Sequence, residues 1–250
     1  RSGGSLRGQY LMGADRAIKE TIQAVATRNM SAADAYHALA DDGRKKVLGA
    51  LGTDGLRSLT QLMKKAKKKR FTVGNKRFLE IAGGNVATPV YLIDENLIEE
   101  NMRILRYVKD RTGCKILHAL KSYATFDTFP IMSRYLDGTC ASGFNEARLG
   151  YEEFKKEVHT FAAAYKENEI DDILKYSDFI MFNSFYQLER YGEKARKKGA
   201  EVGVRVNPGY AEVAIEMYNP CAPFSRLGIV PDTFNGEFPK YKHMVNGLHF

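Results

Sequence analysis

Apolar and polar residues change rhythm along this chain. Over residues 8–70 the apolar positions Leu11, Ala14, Ala17, Ile18, Ile22 and Val25 recur near helical spacing. Ser31, followed by Ala-Ala-Asp, can cap a further helix through Leu39. Leu56 to Met63 resumes the pattern after a stretch punctuated by Gly43, Gly49, Gly52 and Gly55. The front part therefore predicts helices. At about Asn85 the rhythm shortens. Thr88-Pro89-Val90-Tyr91-Leu92-Ile93-Asp94 predicts a short strand, with proline at its start where a missing N–H does least harm. Residues 95–110 place Leu97, Ile98, Met102, Leu105 and Val108 on one side and predict an amphipathic helix.

From there strand and helix alternate. Strands are predicted over 115–120, 138–142, 158–163, 179–182, 201–206 and 246–250, and helices over 126–136, 145–154, 167–176 and 187–197. Residues 209–242 are proline-bearing and predict loop. Regular alternation with short apolar strands argues for a parallel α/β sheet, either an open doubly wound one or a (β/α)8 barrel. No GxGxxG follows the first strand and no GxxxxGKS/T loop occurs, so the nucleotide-binding open sheets lose support. The barrel is the expected fold. Six strands fall short of eight, and residues 115–250 fall short of the ~250 residues such a barrel typically needs. The expected fold class is thus α/β, an incomplete (β/α)8 barrel over residues 95–250. It follows a basic helical extension over 1–86 and a first strand over 87–94 that is expected to belong to the second β-domain.

Charge adds little to this picture. The formal net charge is +8, but residues 1–75 carry 15 Lys/Arg against 6 Asp/Glu, leaving 23 against 24 for the remainder. The run Lys64-Lys65-Ala66-Lys67-Lys68-Lys69-Arg70 suits nucleic acid or an acidic membrane, or a solvated helix end. It has no interleaved aromatic residues and no recognisable nucleic-acid module around it, so the solvated end is favoured and no nucleic-acid partner is expected. No stretch approaches the ~20 apolar residues of a membrane span, so no membrane partner is expected either. Arg1-Ser2-Gly3-Gly4 lacks the features of a secretion signal. Cys114, Cys140 and Cys221 form no CxxC pair and suggest neither a disulfide framework nor a metal site. A reducing cytoplasm is the expected compartment.

Barrel chemistry sits at the C-terminal ends of the strands. The residue of most interest there is Lys121, in His118-Ala119-Leu120-Lys121-Ser122. Desolvation at the end of a buried strand would favour its neutral amine, which can condense with an aldehyde; a strand-end lysine reaching for solvent is the plainer alternative.

Several segments, in order over residues 88–250, point further: Thr88-Pro89-Val90-Tyr91, Ala119-Leu120-Lys121, Leu136-Asp137-Gly138-Thr139-Cys140-Ala141-Ser142, Glu146-Ala147-Arg148-Leu149-Gly150, Phe182-Asn183-Ser184, Arg205-Val206-Asn207-Pro208, Asn219-Pro220-Cys221-Ala222-Pro223, Ser225-Arg226-Leu227-Gly228 and Gly247-Leu248-His249-Phe250. With these the chain resembles the fold-type III, alanine-racemase-like decarboxylases that use pyridoxal 5'-phosphate (PLP). Among them it resembles the carboxynorspermidine/carboxyspermidine decarboxylases. Residues 1–86 lie outside the resemblance.

The resemblance implies that Lys121 carries the cofactor as a Schiff base and that Ala119 is the small residue beside the cofactor ring. It places Ser142 and Glu146 along the site, with a helix-capping role open for Glu146. It sets Arg205 near the cofactor, a structural ion pair being the alternative, and gives His249 a supporting position. Cys221 is expected to shape a loop rather than to react. His118 departs from the aliphatic or aromatic residue usual there; alternation turns it toward the helices. The implied reaction is decarboxylation of carboxynorspermidine or carboxyspermidine to norspermidine or spermidine, in a homodimer. The glycine-rich phosphate loop, the acid facing the pyridine nitrogen, the catalytic cysteine and most of a second β-domain are expected beyond residue 250, and the 250 residues alone are expected to be inactive. Alternatives are decarboxylases of diaminopimelate, ornithine or arginine, and a non-catalytic PLP-binding barrel.

Overall fold

A computed structural model describes residues 76–250 apart from Asn85, Thr88 and Ala214. The helices expected over 8–70 and the lysine run at 64–70 lie outside the described residues. The described chain forms two compact units, one of residues 76–116 and 125–137, the other of residues 117–124 and 138–250.

In the first unit, helix α1 (Lys76–Ala82) precedes α2 (Glu95–Thr112). The strand expected over Thr88–Asp94 is not formed: residues 89–94 join none of the strand ladders, and Tyr91 is 97% exposed. An extended segment becomes a strand only when a neighbour takes up its N–H and C=O groups, and pattern alone cannot supply that neighbour. Helix α2 has clear local causes. The Asp94 carboxylate accepts a hydrogen bond from the Asn96 N–H at 3.0 Å, and Gly113, at φ 70°, closes the other end by donating to Lys109 O. A short 3-10 turn (Phe126–Thr128) leads into α3 (Phe129–Met132), shorter than the helix expected to residue 136. Tyr135 donates to Glu99 Oε1 at 2.6 Å, and Lys109 Nζ meets Asp137 Oδ1 at 2.6 Å. These contacts tie α2 to the segment after α3.

The second unit holds the sheet: β1 (Leu117–Ala119), β2 (Gly138–Ala141), β3 (Glu157–Phe161), β4 (Phe179–Phe182), β5 (Glu201–Arg205) and β6 (Gly247–His249). All neighbours are parallel and the spatial order is 1-2-3-4-5-6. That order decides between the two arrangements open at the sequence level. A doubly wound sheet reverses its strand order at a switch point, whereas a barrel adds each strand beside the last. Six strands in sequence are an unfinished barrel.

Helices cover one face: α4 (Phe144–Leu149), continued by a π turn (Gly150–Phe154), then α5 (Ile170–Ile173), α6 (Phe185–Lys197) and α7 (Pro231–Tyr241). Ile180, Phe182, Val202 and Val204 pack with Leu188, Tyr191, Phe234 and Phe238 in one core. Helix α7 lies in the stretch predicted to be loop. Its Pro231 sits in the first turn, where the missing N–H is harmless, but Pro239 lies inside it. Phe234, Phe238 and Tyr241 are buried, and stacking of Phe234 on Phe238 at 4.5 Å and of Tyr241 on Phe185 at 4.7 Å outweighs the poor propensity.

A repeated device pins the other end of the strands. Asp137 Oδ2 accepts from Ile116 N at 2.9 Å, Asp178 Oδ2 from Val158 N at 2.8 Å, and Asn246 Oδ1 from Val202 N at 3.1 Å. In each case the same residue donates its own N–H back, to Ile116 O, Val158 O and Val202 O. A polar residue before every second strand thus closes alternate strand pairs and fixes their register.

Candidate functional site

The face of the sheet opposite the helices, and its C-terminal edge, gather the residues singled out above. Alternation decides which. Leu120 is 2% exposed, and the residues on either side of it, Ala119 and Lys121, are both exposed. Ala119 is the last residue of β1 and Lys121 lies in the turn that follows, so the buried Leu120 separates two side chains that stay accessible at the strand end. Ser122 ends the strand by donating to Ala119 O from its N–H (3.1 Å) and its hydroxyl (2.7 Å). The desolvation expected of Lys121 is not observed, because the buried position at this strand end belongs to Leu120. His118 faces the helix layer: Nε2 lies 2.7 Å from Tyr123 O, the ring stacks near Phe154 at 6.2 Å, and burial pushes its pKa down.

Register extends this face across the sheet. Ala119 pairs with Cys140, Cys140 with His159, and His159 with Phe179, on which its ring stacks at 4.0 Å. The thiol of Cys140 is pushed up in pKa by desolvation and so stays protonated. In the next row Phe161 pairs with Met181 and Met181 with Gly203. A Cβ on Gly203 would lie 2.2 Å from Met181 Sδ, so glycine is what lets the methionine lie across β5. Beyond it, Arg205 pairs with His249.

Ser142 follows β2 and is exposed; its N–H and hydroxyl donate to Glu146 Oε2 at 2.7 and 2.8 Å. Glu146, in the first turn of α4, thus holds the Ser142 backbone and side chain in place, while Gly143, the N-cap residue, has no side-chain capping hydrogen bond. The structural ion pair considered for Arg205 is absent among the described residues. Its guanidinium lies over the Phe161 ring, 4.7 Å from the centroid. Desolvation lowers its pKa, Cys221 acts against that, and Arg226 adds to it. The His249 ring packs T-shaped with the same Phe161, at 4.8 Å between centroids and 85° between planes. His249 Nδ1 is buried without a hydrogen-bond partner, and burial with the nearby Arg205 charge holds the imidazole pKa down at about 4.

The connection after β5 folds back over this edge. Asn207 accepts from Gly209 N at 2.9 Å, and its own N–H donates to Ile229 O. Asn183, after β4, donates to Arg226 O and accepts from Gly228 N, both through its side-chain amide. Gly228 has φ 81°, and a Cβ there would come 2.6 Å from Asn207 N, so Ser225-Arg226-Leu227-Gly228 turns sharply here. Cys221 donates its thiol to Tyr210 O at 3.2 Å, a contact within the loop after β5.

Sequence reasoning missed two of these residues. Phe161 was legible only as an apolar position in a strand, though period-two alternation places it on the open face. Asn183 was quoted in Phe182-Asn183-Ser184 without a role, and only the fold-back of residues 226–228 shows what it holds. Among the described residues no helix is long and apolar enough to cross a membrane, and no cluster of His, Cys, Asp and Glu suits a metal ion.

No family model matches the chain. It is 38% identical over 143 residues to a carboxynorspermidine/carboxyspermidine decarboxylase of Herminiimonas arsenicoxydans, covering 57% of this chain and 39% of the relative. The corresponding enzyme of Campylobacter jejuni is 36% identical over 165 residues, covering 66% and 42%. A carboxyaminopropylagmatine decarboxylase of Synechocystis sp. is 35% identical over 155 residues, covering 62% and 40%. The chain thus spans about two fifths of the length of these relatives. Among solved structures, carboxynorspermidine decarboxylase of C. jejuni, complexed with norspermidine, matches with a TM-score of 0.53 and 33% identity over 60% of this chain and 37% of that one. Diaminopimelate decarboxylase of M. jannaschi matches with a TM-score of 0.51 at 18% identity, covering 68% and 42%. The six parallel strands form part of a barrel like that of these decarboxylase structures, and the chain is similar to carboxynorspermidine/carboxyspermidine decarboxylases over the part they share.

Proposed function

We propose that the chain contributes the lysine-bearing portion of a PLP-dependent decarboxylase that converts carboxynorspermidine or carboxyspermidine to norspermidine or spermidine. The observation that carries this is the exposed Lys121 amine beside the small Ala119, on the open side of a sequential parallel sheet, in a chain homologous to such enzymes.

The residues suit the cofactor, a flat aldehyde bearing a phosphate. Lys121 Nζ is a primary amine able to hold an aldehyde covalently, and the small Ala119 leaves space at the strand end. The Ser142 hydroxyl, fixed by Glu146, keeps its lone pairs free to accept. Arg205 offers a guanidinium without an acidic partner among the described residues, and guanidinium N–H groups bind oxyanions. His249 Nδ1 is a polar atom still lacking a partner. When bound, the cofactor supplies the electron sink for the pair left as CO2 departs. The chain's own residues bind, orient and exclude: Lys121 fixes the reacting group at the strand edge, Arg205 orients an anion there, and the connection held by Asn183 and Asn207 borders the site. A homodimeric, cytoplasmic enzyme is part of the proposal.

A second reading is carboxyaminopropylagmatine as substrate, favoured by the 35% identity to the Synechocystis enzyme. The test is CO2 release by the PLP-loaded protein, extended beyond residue 250, from carboxynorspermidine, carboxyspermidine, carboxyaminopropylagmatine and diaminopimelate in parallel. The first two are expected to show kcat/KM at least about tenfold above the others, a difference of about 1.4 kcal/mol. Preference for carboxyaminopropylagmatine would select the second reading. Preference for diaminopimelate, or no turnover, would overturn both.

A further inference from the structure

We infer that Phe161 is a positioning residue, whose ring carries the Arg205 guanidinium on its face and packs T-shaped with the His249 imidazole, so that an uncompensated cation stands ready for an oxyanion at the ends of β5 and β6. The inference rests on the proposed reading of this strand edge as the ligand site. It adds what no motif marked: the reason a half-buried arginine can stay there without an acid.

A guanidinium drawn partly out of water needs compensation, and the usual partner is a carboxylate. Among the described residues no Asp or Glu forms an ion pair or hydrogen bond with Arg205, and the titratable side chains that influence it are Cys221 and Arg226. The Phe161 face takes that place, its centroid 4.7 Å from the guanidinium carbon, inside the ~6 Å range over which the ring quadrupole attracts a cation. The two kinds of compensation differ in what they leave open. A carboxylate would occupy the in-plane N–H edges and cancel the charge, so an anionic ligand would have to displace it. A ring occupies only the face of the planar group, leaving the charge and the N–H fork available. His249 completes the arrangement. It is Arg205's register partner, Val206 N donates to its carbonyl at 2.7 Å, and its ring stands T-shaped to that of Phe161. The imidazole is neutral at physiological pH, so it adds no second positive charge beside the first.

The ligand chemistry is an oxyanion, which the cofactor's phosphate or the substrate's carboxylate could each supply. Inorganic phosphate binding, measured calorimetrically on the full chain, tests the site without the cofactor. Wild type is expected to bind; Phe161→Leu should weaken binding by between about three- and thirtyfold, and Phe161→Tyr, which keeps the aromatic face, should restore it. No binding by wild type, or equal affinity in Phe161→Leu, overturns the inference; should Phe161→Leu not fold, Phe161→Met replaces it. Two further arms separate the sources. If the phosphate is the ligand, Phe161→Leu weakens PLP but not pyridoxal. If the carboxylate is, PLP affinity is kept and, in the protein extended beyond residue 250, KM rises while kcat holds. Neither change in the folded variant also overturns the inference. Trapping of PLP on Lys121 with borohydride is scored separately in wild type, so its failure removes the proposed function while the phosphate result still decides the role of Phe161.

Discussion

On the helix side of the sheet, Val158, Ile180, Phe182, Val202 and Val204 are all 0% exposed, and they belong to dense aromatic and aliphatic clusters. On the other side Ala119 and Cys140 are exposed, and His159, Phe161, Met181, Arg205 and His249 are only partly buried. The same strands, alternating with period two, supply both faces. The difference separates two tasks. The covered face is apolar because its burial stabilises the unit. The open face carries thiol, imidazole, guanidinium and amine in register, groups that a face selected for packing alone would exclude.

That contrast can be broken most strongly at neighbouring residues of β4. Phe182→Ala, on the covered face, should lower unfolding free energy by about 3–5 kcal/mol, whereas Met181→Ala, on the open face, should cost well under half as much; urea denaturation compares them directly. Comparable losses would show that both faces are packed alike. A smaller effect is expected from His249. Its pKa falls from 6.5 to about 4 on folding, so between those values the unfolded chain binds more protons than the folded one. Stability is then complete above pH 6.5 and is lost as pH drops toward 4, by on the order of 3 kcal/mol. The difference between wild type and His249→Gln, followed over that window, isolates this residue from the carboxylates; a difference flat in pH would contradict the burial described. The smallest effect concerns the exposed edge. Glu146→Ala removes the acceptor for the Ser142 N–H and hydroxyl and should cost about 0.5–1 kcal/mol in thermal unfolding. A larger loss would mean that this edge is core rather than site.

Much of the barrel was legible beforehand. Six short apolar runs became six strands, and Phe179–Phe182 matched to the residue. Short strands bounded by turn residues signal themselves through alternation. What failed depended on partners. Residues 89–94 have strand composition but no ladder, and α7 has loop composition but three aromatic anchors; the spacing of Phe234, Phe238 and Tyr241 was the available signal and the prolines obscured it. At the site, Ala119 at the end of β1 and Lys121 in the turn after it are both exposed. The expected desolvation of Lys121 did not follow, because which neighbour is buried is a tertiary fact. Phe161 was invisible for the same reason, since a phenylalanine in a strand reads as core until the arginine two strands away is seen lying on it.

The central claim is that the Lys121 amine holds the cofactor. Incubation of the protein with PLP, reduction with borohydride, and peptide mass spectrometry tests it most directly. The account predicts one pyridoxyl-modified peptide, carrying the label on Lys121, and its disappearance in Lys121→Ala. A label on another lysine, or an undiminished label in Lys121→Ala, would contradict it.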